Sequence, residues 1–487
     1  MVLADAARGA RRRLARPVAP GRMQAVIPVR MQRVAIVAPR EALRETLVRI
    51  AEAGCVEIDR IDDVGPGEPG SAARRLRRAP GEQEGAVLSA RPPDLDALER
   101  AGRTDLLAGE AQLEERLAGT VRRGAVAALA GWCPAAEVPA TAERIAGAGG
   151  ALVPLRTPRG IDPPTLLRST GAVHRSFTPL VRTYGTVPYA DLDPTLPAGI
   201  VYVAMFGVMF GDAGHGALLL LAGLLLRLGR PRRMTWLHPL WPFVAGAGLA
   251  ATLAGIAYGE FFGPTGVLPV LWLNPLEEPV RLLAGAVGLG AVLLALAYGA
   301  GTVNRWRENG AASALYAASG IAGAVLFLGL GVTVGAVVLG RTGFALAGAA
   351  IALTGLVLAG AGLYGATAGG PGGVAQTGVQ LYDVVVRLGS NVLSFTRLAA
   401  FGLTHAALGS IVWDGTTGLA RMGAVALPAA VAVFVLGNAL AFALEALIAG
   451  VQALRLEFYE LFSRVFESQG RPFRPWHLPV QHTEVAQ

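Results

Sequence analysis

An arginine near the middle of an apolar stretch long enough to cross a bilayer is where this chain concentrates its chemistry. Arg397 lies within LYDVVVRLGSNVLSFTRLAAFGLTHAALGSIVW, residues 381–413. A charged side chain at the centre of a bilayer costs roughly 2.5–3.5 kcal/mol on insertion scales. This guanidinium starts too deep to reach an interface by extending along the helix. It is therefore expected to face a protein partner or a water-filled path. The same stretch carries Asp383, Arg387 and His405, and the last apolar stretch carries Glu445 and Arg455. Arg397 and His405 are eight residues apart, about 12 Å along a helix axis and about 80° around it. Glu445 and Arg455 are ten residues apart, about 15 Å and again about 80° around. Each helix can present its ionisable groups on one side at different depths. Two such faces would line a polar path, with the arginine as a barrier within it. Plainer roles exist for some of these groups. His405 could bond a core carbonyl, and Arg387 and Arg455 could extend to an interface. Asp212 and His215, in GDAGHG, could cap a turn.

The elements that position these residues are apolar helices. The chain has 487 residues, 16% of them charged, and a mean hydropathy of +0.47. That composition fits a polytopic membrane protein with a soluble part. About eight apolar segments follow Pro197, near 197–211, 213–228, 239–258, 281–303, 313–339, 343–365, 379–411 and 425–455. The first two are short, and read as a tight hairpin or one broken span. Arginine placement orients the set. With a cytoplasmic N-terminus, the loops RLGRPRRM and NRWRENG and the tail with Arg464, Arg471 and Arg474 all fall inside. The loop EFFGPTGVLPVLWLNPLEEP, without arginine, falls outside. Eight spans satisfy this pattern, whereas seven would put the basic tail outside. The net charge of +8 is explained by such flanks and is no nucleic-acid signature.

All 43 basic residues are arginine, so neither a GxxxxGK[ST] phosphate loop nor a lysine Schiff base is available. Cys55 and Cys133 lack metal-ligand spacing and read as buried thiols. No cofactor or metal site is expected. Residues 1–25 form a basic tail, read as disordered, without the apolar core of a secretory signal. Met23 is an alternative start. Residues 26–156 alternate strand and helix patterns: VIPVRMQRVAIV, then REALRETLVRIAEAG closing on Gly54, then CVEIDRI. A linker at 64–92, a polar helix at 93–120, a strand AVAALAGWCP, a helix and a strand ALVPLR complete it. The expected fold is therefore an α-helical polytopic membrane domain of about eight transmembrane helices, the last two long and tilted. A small N-terminal α+β cytoplasmic domain with a short helical arm precedes it. Residues 157–196 link the two, 197–460 form the transmembrane domain, and 461–487 a cytoplasmic tail.

Several long motifs, in order, resemble the membrane-embedded stator subunit of V-type and archaeal-type rotary ATPases, subunit a, called subunit I in prokaryotes. MQRVAIVAPREALRETLVRIAEAGCVEID is similar to that family's opening strand and helix, and GWCPAAEVPATAERI to its second lobe. YGTVPYADLDPT with FGVMFGDAGHGALLL resembles its entry into the membrane, and AYGEFFG its third-span exit. SNVLSFTRLAAFGLTHAAL places the family's essential arginine on Arg397, with His405 at the matching position. EALIAGVQALRLEFYELFSRVFESQGRPFRPW resembles the last span and tail, with Glu445 and Arg455 in place of the channel Glu and second Arg. Asp383 and Ser390 fall at positions lining the family's outer half-channel. Two features depart from the family. The region between Ile61 and Arg123 is too short for two long antiparallel arm helices. Arg387 stands where relatives often carry a neutral residue.

The resemblance implies proton transfer against a rotating ring of proteolipid subunits, each with one membrane carboxylate. It implies as partners that ring, peripheral-stalk and central-stalk subunits, an ATPase head and the lipid bilayer, with no nucleic acid. The chain would be a non-nucleotide-binding subunit of a cell-membrane, multi-pass assembly, with both termini cytoplasmic. Glu445 and His405 would line one access path, Asp383 and Ser390 the other. A secondary transporter is the contrasting reading, but such folds tend to show internal repeats, and the two halves here are not alike.

Overall fold

A computed structural model describes residues 28–59, 69–79, 85–158, 161–167, 171–230, 232–466 and 470–482. The basic tail at 1–25 lies outside the described residues. The chain divides into two compact units, an α/β unit built on 28–167 with 186–189 and the C-terminal segment, and a helical unit.

In the α/β unit, strand β1 (Met31–Pro39) leads into helix α1 (Leu43–Ala53), which ends on Gly54 at φ 61°. That left-handed turn is one that glycine adopts without a Cβ penalty. Strand β2 (Glu57–Ile58) follows. The stretch read as a linker contains a helical turn, α2 (Ser71–Leu76), and a strand, β3 (Leu88–Ser89). Glu114 explains the turn: its carboxylate accepts from Ser71 Oγ at 2.6 Å and from the Ala72 amide at 2.9 Å. The polar helix expected at 93–120 is two helices, α3 (Leu95–Arg100) and α4 (Thr104–Ala118), because Gly102 between them sits at φ 65°. Strands β4 (Val121–Arg123) and β5 (Val126–Pro134), helix α5 (Val138–Ala146) and strand β6 (Ala151–Pro154) complete the sequence-contiguous part.

The sheet order is β2-β5-β1-β6, every pairing antiparallel, with β4 also paired to β5. β1 and β2 are thus parallel with β5 between them, and β5 and β6 are parallel with β1 between them. Two interleaved split β-α-β units result. Leu43, Leu47 and Ile50 of α1 and Ile145 of α5 share one core with Val34, Ile36 and Leu129 of the sheet. Cys55 and Cys133 are both free and buried in it. The C-terminal segment closes this core. Trp476 and Leu478 belong to it, and their amides donate to Val56 O and Ala51 O at 2.9 and 3.1 Å. The last strand, β7 (Val480–Gln481), runs parallel to β3.

The helical unit contains α6 (Gly171–Tyr184), α7 (Thr195–Met209), α8 (Ala213–Arg227), α9 (Trp241–Tyr258), α10 (Pro279–Asn309), α11 (Ala311–Tyr316), α12 (Ile321–Val338) and α13 (Thr342–Gly365). Then come α14 (Gly370–Ser394), α15 (Thr396–Ala420) and α16 (Leu427–Leu456). A wider π turn at Glu457–Phe462 and a last short turn, α17 (Ser463–Val465), end the run. Among the described residues six helical runs are long and apolar enough to cross a membrane: Thr235–Tyr258, Pro279–Asn309, Ala311–Val338, Thr342–Gly365, Gly370–Ala420 and Ala424–Val465. α7 and α8 are apolar but only 15 residues each, about 22 Å of helix against a hydrocarbon core of about 30 Å. Six long runs and two short ones match the expected count of about eight. The last two runs hold 51 and 42 residues, about 76 and 63 Å of helix. Lengths of that order require steep tilt within a bilayer or extension beyond it.

Close helix pairs rest on glycines whose missing Cβ admits a neighbour's backbone. A Cβ on Gly248 of α9 would lie 2.2 Å from the Leu220 amide of α8, and one on Gly355 of α13 2.3 Å from that of Leu326 in α12. With so little polarity in these helices, shape fit of this kind carries much of the association.

Before α7, Asp193 accepts from the Thr195 amide and hydroxyl and meets His174 Nε2 at 2.9 Å. Nearby Asp191 is fully buried. Burial first, and the Glu308 carboxylate second, push its acid up to about 8. Its folded form therefore holds a proton that the unfolded chain releases near pH 4. The stability from that proton is complete below the unfolded value and is lost as pH rises through about 8. Asp191→Asn should flatten this dependence: between about pH 5 and about pH 9 the melting temperature of the parent should fall several degrees further than the variant's. Equal slopes in a detergent-solubilised thermal melt would show that Asp191 ionises freely.

Candidate functional site

The long helical run from Gly370 is interrupted at Phe395. There the hydrogen bonds tighten to three-residue spacing, Phe395 N to Val392 O at 3.2 Å and Leu398 N to Phe395 O at 3.0 Å. Such a tightened turn inside a helix marks a hinge or a local constraint. Here the constraint is visible. The Phe395 ring is fully buried and presses on α10 where Gly290 leaves room, since a Cβ there would lie 2.2 Å from the ring. Arg397 follows two residues later, half-buried. Its Nη2 reaches Ser394 Oγ at 3.4 Å, a long contact, while Nη1 is buried without a hydrogen-bond partner among the described residues. A donor left in that state favours an acceptor from outside the chain.

Eight residues on, His405 is buried on α15, and its Nδ1 bonds the carboxylate of Glu445, itself buried on α16. The two helices pack along each other, and this pair is their one His–carboxylate bond among the described residues. The remaining Glu445 oxygen, Oε1, has no partner among the described residues. Arg455 is exposed on the last turn of α16, just before the π turn. On α14, Asp383 is half-buried and pairs with Arg387 one turn later at 2.8 Å, and Ser390 is exposed. The unexpected charge of Arg387 is thereby matched within its own helix. The fold thus joins His405 to Glu445 directly, sets Arg397 about 12 Å along the same helix, and leaves Asp383, Ser390 and Arg455 outside that contact.

The GDAGHG turn does more than cap. Asp212 is fully buried and accepts from three amides: His215 N at 2.9 Å, Phe262 N at 3.0 Å and Gly263 N at 2.8 Å. It caps α8 and fastens the loop after α9. That loop needs fastening, because Phe262 has φ 52°, costly for a residue with a Cβ. Gly214 leaves space for the Phe262 ring, 2.5 Å from where a Cβ would sit. Gly263 in turn lies against Gly409 of α15. Asp212→Ala should therefore cost at least about 3 kcal/mol, since three amides lose their acceptor and each buried donor left unsatisfied costs about 1–3 kcal/mol. The measurement is the unfolding midpoint in detergent, and a loss under about 1 kcal/mol would contradict the fastening role.

Sequence reasoning did not single out Glu260, Glu457 or the Asn391 cluster. Glu260 and Glu457 are buried, and neither oxygen of Glu457 has a partner among the described residues. With its amide turned to suit its neighbours, Asn391 bridges Glu460 at 2.8 Å and Arg464 at 3.0 Å. The signal for Glu260, Glu457 and Glu460 was a charged residue beside an apolar run, which is also what an ordinary helix end looks like.

A multi-pass helical membrane protein with a buried imidazole–carboxylate pair and a half-buried arginine defines the class. The sequence carries it further. Residues 120–235 match the V-type ATPase 116kDa subunit family. The chain is 28% identical over 402 residues to the A-type ATP synthase subunit I of Halobacterium salinarum, covering 66% of this chain and 52% of that protein. It is 26% identical over 367 residues to the same subunit of Aeropyrum pernix, 65% and 51% of the two chains. It is 34% identical over 172 residues to V-type ATP synthase subunit I 2 of Treponema pallidum, 33% and 36% of the two chains. The similarity to subunit I of A-type ATP synthases thus extends over about two thirds of the chain. It spans about half the length of the curated relatives it matches over most of its own.

Proposed function

We propose that this chain is the membrane stator subunit of a rotary V/A-type ATPase. It forms the two half-channels that carry protons to and from a rotating proteolipid ring, and ATP chemistry belongs to partner subunits. The observation that carries this reading is Arg397, held at a helix interruption with a buried N–H unanswered among the described residues, about 12 Å along the same helix from the buried His405–Glu445 pair.

A ring carboxylate facing lipid must be neutral, because an ionised one is very costly there. Beside Arg397 it becomes an anion. At about 4 Å and an effective dielectric of about 20 the attraction is roughly 4 kcal/mol, part of it offset by desolvation. That favours release of the proton without trapping the carboxylate. The guanidinium stays charged and cannot relay the proton, so it also separates the two paths. His405 and Glu445 serve one path, Asp383 and Ser390 the other, and Arg455 stands at the end of α16 as a second positive group. The termini lie on the cytoplasmic side, in keeping with the arginine-rich loops. Partners are the proteolipid ring, the central and peripheral stalks and the ATPase head.

The test is purification of the tagged chain from its native membrane in mild detergent. A small proteolipid and a nucleotide-hydrolysing head should accompany it in fixed proportion. Recovery of the chain alone, with solute transport in proteoliposomes, would favour a secondary transporter instead.

A further inference from the structure

Asp212, His215 and His405 come from three separate places, the turn before α8, its first helical residues and the middle of α15. One ligand atom from each lies within 4.8 Å of the other two, and all three residues are buried. His215 is only 3% exposed, yet neither of its ring nitrogens has a hydrogen-bond partner among the described residues. Asn438, on α16, is its polar neighbour, and one N–H of that amide donates to Phe434 O at 2.9 Å. A buried imidazole with both nitrogens unused is costly unless something takes one of them. Charge adds to this. Asp212, Glu260 and Glu445 interact electrostatically with His405 in one small volume, and no lysine or arginine side chain pairs with any of the three among the described residues.

We propose that this cluster is a binding site for a divalent transition cation of the zinc class. Two imidazoles and a carboxylate are the donor set that zinc takes, whereas calcium and magnesium call for oxygen ligands. Glu445 occupies Nδ1 of His405, which leaves Nε2 for the metal. A carboxylate bonded to the far nitrogen of a ligating histidine is the usual outer-shell support, fixing the ring and its tautomer. Tetrahedral zinc, with bonds of about 2.0–2.1 Å, holds its ligand atoms about 3.4 Å apart. The three atoms therefore need to close by no more than about 1.4 Å. Resting on the proton-path reading above, the ion would act as a block, since it engages the same histidine that serves the path.

The test is zinc retention by the purified chain after chelator washing and incubation with zinc chloride. Elemental analysis should find one zinc per chain, with at least tenfold weaker binding in His215→Gln. X-ray absorption at the zinc edge on the unaltered chain should show imidazole and oxygen neighbours without sulfur, so the assignment stands or falls even if the variant misfolds. No zinc retained, equal affinity in a folded His215→Gln, or sulfur ligation by Cys55 and Cys133 would each overturn the site. Because retention is read on the chain alone, a failed metal site is distinguished from a failed proton path.

Discussion

In vesicles holding the assembled complex, Arg397→Ala should abolish ATP-driven proton uptake, with a loss of at least about 100-fold. The expected size follows from the roughly 4 kcal/mol that a cation about 4 Å from a carboxylate supplies at an effective dielectric of about 20. On the proposed mechanism it also follows from the loss of the barrier between two water-filled paths. The chain itself should remain folded, since among the described residues Arg397 makes only one long bond, to Ser394 at 3.4 Å. Arg397→Lys should restore little, because a buried lysine can give up its proton and a guanidinium does not. Uptake within about twofold of the parent in Arg397→Ala would remove the arginine from the mechanism.

The second large effect belongs to the pair behind it. Glu445→Gln should slow proton transport about tenfold or more while the complex still assembles, because an amide cannot exchange a proton with His405. His405→Gln should do the same. If the two act as one unit, the double variant should be about as slow as either single one, far from the product of the two losses. Multiplying losses in a double-mutant cycle would mean that their bond is structural and that protons travel elsewhere. Proton uptake is read against the amount of assembled complex, which separates transport from folding.

Much of this arrangement was legible in the order of residues. A charge amid apolar neighbours has few inexpensive places, so Arg397, His405 and Glu445 drew notice from polarity and helical spacing alone. Strand and helix periods placed β1, α1, β5 and α5, because alternation and a closing Gly54 reflect local backbone physics. Asp212 read as a cap, which it is, but its hold on Phe262 and Gly263 some 50 residues later left no local trace. The polar helix at 93–120 looked continuous until Gly102 took a left-handed turn.

From its sequence alone this protein had to be membrane-spanning, with a small α/β part and a few ionisable groups along its last two helices, because hydropathy and period are properties of neighbouring residues. Tertiary structure decided which of those groups meet. His405 finds Glu445 through the packing of two helices, Arg387 turns to Asp383, and Arg455 remains on the surface. It also set the break before Arg397, which exists because Phe395 fits the space left by Gly290 on a helix about a hundred residues away. A helix period states which residues share a face. Only the packing of one face against another selects the partner, since that depends on the shapes of both.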